Sequence, residues 1–103
     1  MAEFVRVAGR GDIPAGEMLI VQLDGEEIAL ANVDGEIFAF GNECTHRGGP
    51  LGEGVLEGEE VECPFHQGRF NVKSGAVVQD PPTEPIPTYQ VRVDGDDVMV
   101  AKG

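Results

Sequence analysis

The stretch EMLIVQLDGEEIALANVDGEIFAF, residues 17–40, decides the fold class. Residues 17–23 read as a strand that closes on Asp24-Gly25. Asp-Gly between two apolar runs marks a hairpin, because glycine supplies the positive φ that such turns need. Residues 27–33 follow, then Asp34-Gly35, then residues 36–40. Three strands joined by two such turns predict an antiparallel meander.

The same punctuation continues outward. Residues 59–62 read as a short strand, and residues 69–72 and 76–79 flank Lys73-Ser74-Gly75 as a further hairpin. Residues 80–87 hold four of the seven prolines and are excluded from any central strand. Residues 88–93 alternate, which predicts Tyr89, Val91 and Val93 inward and Thr88, Gln90 and Arg92 outward. Asp94-Gly95-Asp96 then turns into a last strand, residues 97–101. Helical periodicity is almost absent. Regular short strands between glycine turns imply an all-β sandwich or barrel. With no repeats and no linker, residues 1–103 are expected to form one domain. Its expected layout is a small lobe, roughly residues 41–78, built onto a β base from the two chain ends.

Bulk properties narrow the function. No apolar run exceeds four residues, as in Met18-Leu19-Ile20-Val21, far short of the ~20 needed to span a bilayer. The first residues, Met1-Ala2-Glu3-Phe4-Val5-Arg6, lack the basic region and apolar core of a signal peptide, so a cytoplasmic location is expected. Nineteen acids against seven bases give a formal charge of −12. Phosphate binding needs clustered Lys and Arg, so nucleic acid is not an expected partner. The acids suit docking to a basic protein surface, or equally plain solubility.

Between the strands lie the residues that carry chemistry. Cys44-Thr45-His46 and Cys63-Pro64-Phe65-His66 use both cysteines and both histidines of the chain, with sixteen residues between His46 and Cys63. Thiolate and imidazole together select zinc, copper or iron–sulfur centres over hard cations. Gly48, Gly49, Gly52 and Gly68 stand in or beside these loops, where close backbone approach would bring N–H groups to a metal-bound sulfur. A Cys44–Cys63 disulfide is the plainest alternative, but a reducing compartment disfavours it. A zinc site made from the same four residues is the stronger rival. Common zinc fingers, however, pair Cys with Cys and His with His, whereas here the two alternate within each loop.

The segments Cys44-Thr45-His46-Arg47-Gly48-Gly49-Pro50-Leu51 and Cys63-Pro64-Phe65-His66-Gln67-Gly68-Arg69-Phe70 resemble those of the soluble Rieske-type ferredoxins. Length, strand order and the proline segment extend the resemblance over nearly the whole chain. It implies a Rieske-type antiparallel β-sandwich with a small cluster-binding lobe and one [2Fe–2S] cluster per chain. Cys44 and Cys63 would bind one iron, and His46 and His66 the other. Neutral imidazoles raise the potential of such a centre to about −150 to +300 mV, against about −400 mV for plant-type ferredoxins. Pro81 and Pro82 would cap the cluster, or else form an ordinary rigid connection.

The resemblance also implies a role. Such proteins are one-electron carriers, monomeric and without a substrate of their own. They link a flavin-dependent ferredoxin reductase to a terminal Rieske oxygenase in aromatic hydrocarbon catabolism. A second reading is the Rieske small subunit of a larger reductase such as nitrite reductase, and a third is a zinc-stapled interaction module. The membrane-anchored Rieske proteins carry two further cysteines, where this chain has Gly49 and Phe65. They also carry a Ser and a Tyr that donate towards the cluster, where this chain has Gly68 and Phe70. Missing donors favour the oxidised state, so a low potential is expected. Arg47, Pro50, Gln67 and Pro82 would form the docking face. Arg47 and Arg69 otherwise read as solvated side chains, Phe65, Phe70 and Tyr89 as packing residues, and residues 57–62, with four acids, as a solvated edge.

Overall fold

The computed structural model describes residues 3–23, 25–43, 50–64, 68–79 and 85–102. In chain order the strands are β1 (Glu3–Gly9), β2 (Met18–Leu23), β3 (Glu26–Val33), β4 (Glu36–Gly41), β5 (Val55–Glu57), β6 (Glu60–Glu62), β7 (Arg69–Asn71), β8 (Val77–Gln79), β9 (Thr88–Tyr89), β10 (Val91–Asp94) and β11 (Asp97–Lys102). They form three antiparallel sheets, ordered β2-β3-β4-β9, β1-β11-β10 and β5-β6-β7-β8. Among the described residues there is no α-helix, only the short 3-10 turns Arg10–Asp12 and Leu51–Glu53.

The meander read from residues 17–40 is the middle layer. Its second turn joins Val33 to its partner Glu36 through Asp34 and Gly35, with φ of 52° and 94°. Both central residues are left-handed, the conformation that Asp-Gly favours and that matches the twist of the strands. Asn32 locks this corner. Its Oδ1 accepts from the Gly35 N–H at 2.7 Å, and its Nδ2 donates to the Ile13 carbonyl at 2.7 Å. Both partners of this buried amide are thereby satisfied.

Strand alternation divides the middle sheet between two cores. Ile28, Leu30, Ile37 and Ala39 pack with Ala8, Ile13, Val98 and Val100 against the sheet from the chain ends. Ala29, Ala31 and Phe40 pack on the other face with Leu51, Val61, Cys63, Phe70, Val72 and Ile86, against the β5–β8 sheet. Period-two alternation therefore appears as burial on both faces, so the small residues Ala29 and Ala31 are as enclosed as Leu30.

One expectation needs correction and two need refining. Residues 88–93 are not one strand. Tyr89 pairs with Ala39 in the middle sheet, whereas Val91 pairs with Val100 in the outer one, so the chain changes sheets at Gln90. Val93 does face inward, paired with the buried Val98, but it is not enclosed: among the described residues β10 is an edge strand, and Val93 stays 40% exposed. Tyr89 is only half-buried, at the border of the second core.

Candidate metal centre

Of the four expected ligands, Cys63 lies within the described residues, and Cys44, His46 and His66 lie outside them, as do Arg47, Phe65, Gln67, Pro81 and Pro82. What the structure defines is the base from which each ligand loop leaves the sheets.

The first base is built by Asn42, directly after β4. Its backbone carbonyl accepts from the Leu51 N–H at 2.7 Å, and Glu43 and Pro50 form an antiparallel bridge. These contacts hold together the two described ends of the chain that flank residues 44–49. Asn42 Oδ1 accepts from the Gly52 N–H at 2.7 Å, and its Nδ2 donates to Glu27 Oε1 at 3.4 Å. Its side chain is buried, so it is a strut rather than a surface group. The sequence reading did not single out Asn42. The available signal was a polar residue placed directly between an apolar strand and a glycine-rich loop.

The second base is formed by Cys63 itself. Its N–H donates to the Gly68 carbonyl at 2.7 Å, closing the loop that carries residues 64–67. Cys63 is 1% exposed and shares its apolar cluster with Leu51, Val61 and Phe70. The two bases meet. A Cβ on Gly54 would overlap the Glu62 carbonyl, so the chain leaving the first loop passes directly over the residue that precedes Cys63. The proline segment begins after Gln79, paired with Arg69 beside the second base. It returns at Pro87, whose carbonyl accepts from the Gly41 N–H at 2.9 Å beside the first.

The donor chemistry at these bases fits an iron–sulfur centre. A cysteine withdrawn from water against Leu51 and Phe70 supplies a shielded sulfur ligand. Among the described residues no group of three or more His, Cys, Asp or Glu is placed to hold a metal.

Charge around the second base is organised: residues 57–62 run along a solvated edge, as read, but their acids are paired, which corrects the reading of Arg69 as a plain solvated side chain. On the outer face of the β5–β8 sheet, Arg69 Nη2 lies 3.0 Å from Glu62 Oε1, and Nη1 lies 3.2 Å from Glu57 and 3.6 Å from Glu60. The hydrogen bonds that it donates to Glu57 and then to Glu62 hold the guanidinium still more firmly protonated than usual. Lys73 pairs with Glu59 at 3.3 Å and stands over the Phe38 ring. A hydrogen bond from Asn71, followed by the Lys73 contact, lowers the Glu59 carboxyl below its ordinary range. Beside the first base, a groove of about 610 Å³ is lined by Glu26, Glu27, Glu43, Pro50 and Tyr89. Burial, then the Glu26 charge, raises the Tyr89 phenol.

Comparison with known proteins bears on this arrangement. A family model described as the Rieske [2Fe-2S] domain matches residues 3–90. The ferredoxin component of a naphthalene 1,2-dioxygenase system from Pseudomonas aeruginosa is 47% identical over 89 residues, 86% of each chain. The ferredoxin of carbazole 1,9a-dioxygenase from Nocardioides aromaticivorans IC177 superposes with a TM-score of 0.93 at 35% identity, over 97% of this chain and 98% of that one. A chain from a complex of reduced oxygenase and oxidised ferredoxin in carbazole 1,9a-dioxygenase gives a TM-score of 0.90 at 34% identity, over 95% and 92%.

Proposed function

We propose a function from one established premise: the chain belongs to the Rieske [2Fe-2S] domain family. It carries a [2Fe–2S] cluster, which when bound supplies reversible one-electron chemistry. On this reading the chain is a ferredoxin, a one-electron carrier for an aromatic dioxygenase system. It receives electrons from a flavin-dependent reductase and delivers them to a terminal Rieske oxygenase. The observation that carries the reading is its near end-to-end similarity to ferredoxin components of dioxygenase systems, in sequence and in fold.

Cys44 and Cys63 hold one iron and His46 and His66 the other. In support, Cys63 is buried beside the backbone bond that it makes to Gly68, and the base of the first loop stands directly against it. Leu51, Val61 and Phe70 exclude water from the cysteine side. The histidine-ligated side, ringed by Arg47, Pro50, Gln67 and Pro82, is the docking face. The acids around it orient the molecule towards basic partner surfaces, and the groove with Glu26, Glu27 and Glu43 lies on its margin. That a similar chain is found in complex with an oxygenase supports the terminal partner. The protein acts as a monomeric cytoplasmic shuttle, with all 103 residues in one domain and residues 41–78 as its cluster-binding lobe. It converts no substrate of its own and binds no nucleic acid.

Reconstitution tests this. The purified protein, mixed with NADH, a flavin-dependent reductase and the terminal oxygenase of an aromatic dioxygenase system, should couple NADH oxidation to ring oxidation. A cluster-loaded protein that neither accepts electrons from such a reductase nor passes them to any such oxygenase would overturn the assignment as a shuttle.

A further inference from the structure

We infer that Arg69 is a positioning residue for the second ligand loop, clamping the strands from which Cys63 and His66 leave and balancing the charge beside them; this rests on the cluster assignment proposed above. Glu62 and Arg69 are paired across β6 and β7, the last rung before the loop closed by Cys63 and Gly68. The Arg69 side chain is 23% exposed, laid along the sheet instead of projecting into solvent. From there one guanidinium reaches Glu57 on β5 and both Glu60 and Glu62 on β6. A single cation therefore ties three neighbouring strands together.

The fork matters as well as the charge. Nη1 serves Glu57 and Glu60 while Nη2 serves Glu62, a division that the single ammonium of lysine cannot reproduce. Without the cation, three carboxylates would face one another across two neighbouring rungs, the nearer of them adjacent to Cys63. Their repulsion would spread β5 from β6 and loosen the hold of both on β7, where Arg69 stood, and their uncompensated field would oppose any electron added nearby. Clamp and charge thus make different demands on a substitution, and that separates them.

The experiment uses the full cluster-loaded protein and reads two quantities, the rate of iron loss to an excess of chelator and the midpoint potential. Arg69→Gln removes both clamp and charge. Iron loss should rise by roughly two- to five-fold, the scale of exposed ion-pair networks, and the potential should fall. Arg69→Lys keeps the charge but not the fork, so its potential should stay near wild type while its iron loss rises. Glu62→Gln breaks the shortest arm and removes a negative charge, so iron loss should rise and the potential should rise too. Wild-type rates and potential in Arg69→Gln would overturn the inference, as would a potential that moves the same way in Arg69→Gln and Glu62→Gln. If Arg69→Gln fails to retain a cluster, Arg69→Lys and Glu62→Gln decide the matter alone. A wild-type protein without iron and sulfide would instead overturn the cluster assignment, which is measured first.

Discussion

Replacing Asn42 by Ala attacks the base of the first ligand loop without touching a ligand. The side chain is 3% exposed, and its Oδ1 takes the Gly52 N–H at 2.7 Å. Losing that bond costs about 1 kcal/mol, and leaving a desolvated donor without a partner adds a further ~1 kcal/mol or more. Among the described residues, the Leu51–Asn42 backbone bond and the Glu43–Pro50 bridge would then remain to hold the base of the segment that carries Cys44 and His46. For a domain of this size, about 2 kcal/mol lowers the melting temperature by roughly 8–16 °C. The assay is thermal bleaching of the cluster's visible absorbance, recorded beside far-UV circular dichroism. Asn42→Asp is the companion variant. It keeps an acceptor for Gly52 but sets a buried carboxylate against Glu27, so it should melt at least as low as Asn42→Ala. Asn42→Ala or Asn42→Asp melting with wild type would refute the strut role of this side chain.

Changing His46 or His66 to Cys should lower the midpoint potential wherever a cluster still assembles, because it exchanges a neutral ligand for a negative one; an unchanged or raised value would show that the residue is not a ligand. The wild-type potential should lie near the low end of the Rieske range, about −150 mV. Gly68→Ser with Phe70→Tyr should raise it, since Phe70 is buried in the same cluster as Cys63 and a hydroxyl there enters the sulfur's surroundings; potentiometry showing no rise would mean that backbone donors or burial dominate. Stopped-flow reduction by a cognate reductase should slow as salt rises, and Arg47→Glu or Gln67→Trp should slow it without bleaching the protein; unchanged kinetics would place the docking face elsewhere.

Local signals carried most of what the sequence revealed. The Asp34-Gly35 turn was legible because two adjacent left-handed residues need that chemistry wherever they occur. The four-residue Cys/His pattern was legible because soft ligands are scarce in this chain. What was illegible is non-local. β1 pairs with β11 from the opposite end of the chain, Phe4 beside Ala101, and nothing within residues 3–9 announces such a partner. The strand break at Gln90 follows from competition between β4 and β11 for the same segment, while its alternation continues unbroken. Residues 57–62 read as solvated because acids usually are. Their cation, Arg69, lies beyond the ligand loop and meets them only once β6 and β7 pair. Asn42 and Asn32 are of the same kind, polar residues whose value lies in the backbone groups that the fold brings to them.

The central claim is that two cysteines and two histidines hold an iron–sulfur cluster, and metal analysis of the purified protein tests it most directly. The protein should be red-brown, with two iron atoms and two acid-labile sulfides per chain, and both should be lost in Cys63→Ala. A colourless protein with one zinc per chain and no sulfide would contradict it.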